Sequence, residues 1–218
     1  MSSTGPDRRC AVCGGPLHAG FTHCYCCITV VRQLGQPLAP VVAVAEYRVG
    51  DRMHRCLRGY KDAPVSEVRR ERVEALAGMA ERWLLGHRDR LAERFGGAWD
   101  AVATVPSSCR PGSSPVDAVV RRVPSLEGCH VPMLERGPGR LAHLEASRRG
   151  FVLRPGVDRA WLAGRRVLVV DDTFSTGARA QSAVAAIRSG GATVVGILVL
   201  GRVMPRLPGA APAPGPEG

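Results

Sequence analysis

The chain has 218 residues, a formal net charge of +11 and 45% hydrophobic residues, of which few are aromatic. That length allows one sizeable core plus a small appendage, and no apolar run nears the roughly 20 residues of a membrane-spanning helix. Lys61 is the sole lysine, so the basicity is arginine, the better residue for bidentate phosphate contacts. Such charge permits nucleic-acid binding, but the scarcity of aromatics leaves no evident base-stacking surface.

In chain order, Met1 to Arg9 is polar and lacks the apolar stretch of a secretory signal, so a cytoplasmic chain is expected. Cys10-x-x-Cys13 and Cys24-x-x-Cys27 follow, ten residues apart. Two such pairs across a glycine-bearing spacer predict a structural zinc knuckle, because thiolates favour a soft divalent ion and four of them leave no open position. Cys26, His18 and His23 compete for the fourth position, and a pair of disulfides is the alternative. Cys56, Cys109 and Cys129 are scattered and read as small buried or half-buried residues.

Val41 to Tyr47 reads as a strand and Leu57 to Asp62 as a turn-rich segment. Ser66 is placed as the cap of a long helix reaching about Phe95, with Val73, Leu76, Met79, Ala80, Trp83 and Leu84 inward. Ala101 to Val105 is a second strand ending at Pro106-Ser107-Ser108. Ser114, Pro115 and Asp117 mark a helix start. A strand near His130 to Met133 and a polar loop from Gly137 to Gly150 come next. Lys61 reads as a lone exposed lysine; His130 and His143 read as ordinary histidines without visible partners. Strands alternating with helices predict an α/β fold with a parallel sheet. From Pro205 the chain is Pro, Ala and Gly, expected to be disordered.

The stretch Val167 to Gly177 carries the most chemistry. Four apolar residues form a buried strand, Asp171 and Asp172 follow, and Thr173-Phe174-Ser175-Thr176-Gly177 leads into a helix with Ala180, Ala183, Val184 and Ile187 on one face. Ligands of open α/β sheets sit beyond the carboxyl ends of such strands. A hydroxyl- and glycine-rich turn at a helix N-terminus offers backbone N–H groups to an anion. Two adjacent carboxylates suit ribose hydroxyls or a magnesium ion beside phosphates.

This stretch resembles the phosphoribosyl pyrophosphate (PRPP) signature of type I phosphoribosyltransferases: four apolar residues, two acids, two variable residues, then hydroxyl residues and Gly. The resemblance implies helices on both faces of the sheet, Asp171 and Asp172 on the ribose 2′- and 3′-hydroxyls as the catalytic pair, and Thr173, Phe174, Ser175, Thr176 and Gly177 around the 5′-phosphate. The order of features (cysteine knuckle, Tyr60-Lys61, long helix, Val105-Pro106, late signature) is similar to the competence protein ComF family. That family is a phosphoribosyltransferase-like branch tied to DNA uptake. Its pattern implies a pyrophosphate loop at Ser107, Ser108 and Arg110, magnesium with PRPP, and single-stranded DNA or a DNA-processing protein as a partner. The Arg-Gly-Phe-Asn-Gln run that follows Val-Pro in the family is absent after Val105-Pro106. The resulting expectation is a zinc module over residues 1–40, a phosphoribosyltransferase-like domain over 41–204 and a tail over 205–218. Its activity would be phosphoribosyl transfer to an unknown acceptor or, alternatively, a non-catalytic role in DNA handling.

Overall fold

The computed structural model describes residues 8–17, 20–107 and 114–204. His18, Ser108, Cys109, Arg110 and the 205–218 tail, all singled out above, lie outside the described residues.

The elements in chain order are α1 (Tyr25–Leu34), β1 (Val41–Tyr47), α2 (Arg52–Asp62), α3 (Ser66–Phe95), β2 (Ala101–Thr104), α4 (Pro115–Val120), α5 (Pro124–Glu127), β3 (Leu134–Arg136), β4 (Phe151–Leu153), α6 (Arg159–Leu162), β5 (Arg166–Phe174), α7 (Ala178–Ser189) and β6 (Thr193–Val203). β1, β6, β5 and β2 pair in that order, every pairing parallel; β3 and β4 form a separate antiparallel pair.

Both faces of the parallel sheet are covered, and strict alternation along β5 shows it. Val167 and Val169 pack on one side with Ala183, Val184 and Ile187 of α7. Leu168 and Val170 pack on the other with Leu76, Ala80, Leu84 and Phe95 of α3. This is the near-continuous apolar run of a strand buried on both sides. In β6 the register with β5 shifts by one residue: Val167 pairs with Val194, but Leu168 pairs with Gly196. The extra residue exchanges the parity, so Val194 and Ile197 share a face although three apart in sequence. Glycine is required at 196 because the Phe95 ring occupies the place of a Cβ, 2.2 Å away.

The structure departs from the sequence reading in four places. Leu57 to Asp62 belongs to a helix, α2, capped by Asp51, whose side chain accepts from the His54 N–H. α1 was not foreseen. Ser66 is the first residue of α3, not its cap; Val65 holds that position and provides no side-chain bond. His130 to Met133 is not a strand: only His130 bridges to Val102, and the strand begins at Leu134. The cysteine segment packs on the sheet, with Cys10, Cys13 and Cys27 buried in the same apolar cluster as Val41, Phe174 and Val199.

Among the described residues, no helix is long and apolar enough to cross a membrane.

Candidate functional site

Because the four strands are parallel, their carboxyl ends share one edge of the sheet. There β5 continues through both acids to Phe174, so Asp171 and Asp172 lie in the strand itself. They are 4% and 6% exposed. A cavity of about 390 Å³ opens over them, lined by Lys61, His143, Asp171 to Ala180 and the Leu141-Ala142 segment.

The acids are partnered before any ligand arrives. Asp172 Oδ2 accepts from the Tyr60 hydroxyl and forms an ion pair with Lys61 Nζ. Asp171 Oδ1 accepts from the Asp172 backbone N–H at 2.9 Å. Burial and the neighbouring Asp172 carboxylate push the Asp171 carboxyl up to about 7, against the opposing pull of Arg179 and Lys61. Burial, and then the charge of Asp172, also raise the Tyr60 phenol, so it stays a donor. Asp172 is thus fixed by Lys61 and Tyr60, beside Asp171, a carboxyl that titrates near neutrality. A group able both to donate and to accept suits a sugar hydroxyl.

The turn after the strand is short. Ser175 is exposed, Thr176 is 7% exposed, and Gly177 takes φ 81° as the N-cap of α7. A side chain at 177 would be strained by that φ and would meet the Phe174 ring at 2.7 Å. The Thr176 hydroxyl donates to the His143 carbonyl, which ties the 137–150 segment over the turn. Arg179 donates to the Pro106 carbonyl at 2.9 Å, spanning from the turn to the end of β2, and its Nε is buried without a partner among the described residues. The site thus offers an anion a helix N-terminus, an exposed hydroxyl and two cations.

The second polar centre is the cysteine cluster. Cys10, Cys13, Cys24 and Cys27 place their sulfurs within 4.8 Å of one another. Zinc bound tetrahedrally at about 2.3 Å separates its ligands by about 3.8 Å; Cys13 Sγ and Cys24 Sγ stand 3.7 Å apart. Backbone N–H groups of Gly15 and Cys24 point at Cys13 Sγ and Cys10 Sγ, each at 3.4 Å. The donor set therefore fits a structural zinc. No disulfide joins the described cysteines. Left to themselves the thiols share little charge: bonds from Cys13 and Cys27 hold Cys24 down at about 2, while its bond to Cys24 lifts Cys13 to about 12, and Cys27 is raised as well. A divalent cation is what lets all four ionise. Cys26 falls outside the set, and exposed His23 bonds Thr22 instead.

Several sequence readings change here. Lys61 is not a lone exposed lysine; it is the ion-pair partner of Asp172. His130 is 2% exposed at its side chain, with Nε2 3.2 Å from Asp117 Oδ1. Burial would raise Asp117, but bonds from His130 and the Thr104 hydroxyl outweigh it and hold the carboxyl below its ordinary value. Ser107 follows Pro106 at the end of β2, beside the Arg179 contact. Tyr60 and Arg179 were missed, and His143, read as an ordinary histidine, lines the cavity and accepts from Thr176 through its carbonyl. Arg179 had a signal, since a basic residue two positions past the turn glycine sits in the first turn of α7; the others meet the turn only through long-range packing.

No family model matches the chain, and no curated protein matches it. Among solved structures, it is similar to the allosteric regulatory enzyme of purine biosynthesis (18% identity, TM-score 0.37), over 67% of this chain and 30% of that one. It is also similar to adenine phosphoribosyltransferase from Leishmania tarentolae (14% identity, TM-score 0.34), over 76% of this chain and 94% of that one. The chain thus spans under a third of the first neighbour's length.

Proposed function

We propose that this protein binds PRPP with magnesium in the cavity at the end of β5 and transfers its phosphoribosyl group with release of pyrophosphate. The observation that carries this reading is the continuous stretch Asp171 to Arg179 lining one cavity: paired acids, hydroxyl turn, positive-φ glycine, then a helix N-terminus. In this reading Asp171 and Asp172 hold the ribose 2′- and 3′-hydroxyls, and Thr173 to Gly177 wrap the 5′-phosphate. Lys61 and Arg179, with Ser107 after β2, meet the pyrophosphate. Magnesium suits one or two carboxylates plus substrate phosphates, and the acidic pair offers the carboxylates. The residues contribute position and charge: they fix the sugar and stabilise the negative charge that builds on the departing pyrophosphate.

The test is a melt of the purified chain with magnesium and PRPP. Ligand at a hundred times its dissociation constant should stabilise the protein by about 2.7 kcal/mol, and ribose 5-phosphate should do so less. The accessory DNA-handling alternative, implied by the likeness to the competence protein ComF family, is permitted by the charge of +11. Single-strand binding without pyrophosphate release would select it.

A further inference from the structure

We propose that the groove between α2 and α3 docks an acidic segment of a partner protein, its carboxylates on Arg55 and Arg58 and an aliphatic side chain against Pro64, Val65 and Val68. The groove shares no lining residue with the cavity over Asp171 and Asp172, so the proposal stands apart from the phosphoribosyl reading.

The groove follows from the two faces of α2. On one face Tyr60 and Lys61 reach Asp172. Arg55, Arg58 and Asp62 recur at the three- and four-residue spacing of a helix side and line the groove. The chain then turns through Ala63, Pro64 and Val65 into α3, whose Val68 and Arg72 form the far wall. The groove has a volume of about 800 Å³, against about 390 Å³ for the cavity over the acids.

Its positive charge is largely uncancelled. The Arg55 guanidinium donates to the Gly50 carbonyl and that of Arg72 to the Arg55 carbonyl, so backbone oxygens position both and no carboxylate neutralises them among the described residues. The exposed Arg58 side chain makes no hydrogen bond or ion pair among the described residues. Asp62 is the one acid among the lining residues, against three arginines. Such guanidiniums match carboxylates. Beside them runs an apolar strip: Val65 is 55% exposed, and exposed Pro64 and half-buried Val68 continue it. An apolar centre with an arginine-bearing rim is the make-up of a protein interface. The same features select the occupant. No Phe, Tyr or Trp lines the groove, so nucleic-acid bases find nothing to stack on. A second copy of the chain would bring its own net charge of +11 against these arginines. An acidic segment with aliphatic residues satisfies both the rim and the strip.

The test is fluorescence anisotropy of the zinc-loaded full chain with labelled probes: a short peptide of Glu and Leu, the same peptide with Gln for Glu, and oligo-dT. The Glu peptide should bind about tenfold more tightly than the Gln peptide, and its affinity should fall with salt. Arg58→Glu should weaken it about tenfold and Val65→Ser severalfold. Both positions are exposed, so both variants should melt as the wild type does. Arg88→Glu, exposed near the far end of α3, should leave peptide affinity unchanged. Equal binding of the two peptides, or equal weakening by Arg88→Glu, would overturn the site and reduce it to diffuse attraction by net charge. Oligo-dT that displaces the Glu peptide and loses affinity in Arg58→Glu would give the groove to nucleic acid. Self-association in sedimentation that Arg58→Glu abolishes would give it to a second copy. Either result overturns the proposal.

Discussion

The two polar centres of this molecule solve the same electrostatic problem in opposite ways. The cysteine cluster gathers four potential thiolates bonded to one another and to backbone N–H groups; the acid pair at the end of β5 brings Lys61, Tyr60 and Arg179 with it. A bound divalent cation would therefore balance the charge of the first centre. The second is settled without ligand, and a ligand must compete with groups already in place. Stability should thus hinge on the cysteines, and ligand recognition on the acids.

The largest effect expected is from metal removal. Replacing Cys24 by Ser, or adding a strong chelator, should strip about one zinc per chain and cost on the order of 5 kcal/mol or more, because metal affinity is folding free energy in such modules. Cys10, Cys13 and Cys27 lie in the sheet's own apolar cluster, so the loss should spread beyond the knuckle. Elemental analysis with a melting curve measures both. A chain that keeps its melting temperature without zinc would erase the contrast.

Next in size is the internal ion pair. Lys61→Met leaves the Asp172 carboxylate with Tyr60 alone in a nearly closed site, which should cost about 3 kcal/mol in chemical denaturation. Asp171→Asn should cost far less, since an amide oxygen can still accept from the Asp172 N–H. The acids are buried, not set at an open strand end, so the two single variants must differ. Equal losses would mean the pair is not organised by Lys61.

Smaller again is the turn. Gly177→Ala places a Cβ at φ 81° against the Phe174 ring, at a cost of about 1–2 kcal/mol. Its melting temperature should drop modestly while its PRPP response disappears.

The pH dependence tests the environment of Asp171. Asp171 has its folded value raised to about 7 from 3.8. The folded state therefore holds the proton longer than the unfolded state, and stability contributed by the neutral carboxyl is lost as pH rises from about 4 through about 7. Across that window the Asp171→Asn variant should gain on the wild type. Denaturation at pH 4, 5.5 and 7.5 gives the difference, and a constant gap would refute the assigned environment. The weakest expectation concerns DNA: any single-strand affinity from the arginine excess should fall steeply with salt, and a flat dependence measured by titration would remove the DNA-handling alternative.

The same contrast explains what could be read from residues alone. The cysteine pairs, the β5 strand and the turn through Gly177 are local patterns, and periodicity is a local signal. Even the long α3 declared its inner face. α2 was hidden by Gly59, which looks like a turn signal but lies inside the helix with the Arg72 guanidinium packed against it. α1 was hidden by its cysteines and by Ile28, Thr29, Val30 and Val31, poor helix formers, in a helix held by packing of Val30 and Leu34 on Ala178 and Ala185. β3 and β4 span three residues each, too short for an alternation to register. The electrostatics of the acid pair were illegible for a different reason: Lys61 lies 111 positions from Asp172, His143 lies 33 from Thr176, and Arg179 lies 73 from Pro106. Only the fold brings them together.

The central claim is that the Asp171–Gly177 cavity is a phosphoribosyl pyrophosphate site, and calorimetric titration of magnesium PRPP into the zinc-loaded chain tests it most directly, since it reads affinity independently of stability. The account predicts one molecule bound per chain, with affinity reduced at least tenfold, or about 1.4 kcal/mol, when Asp171 and Asp172 are both replaced by Asn. No binding at millimolar ligand, or equal binding by the double variant, would contradict it.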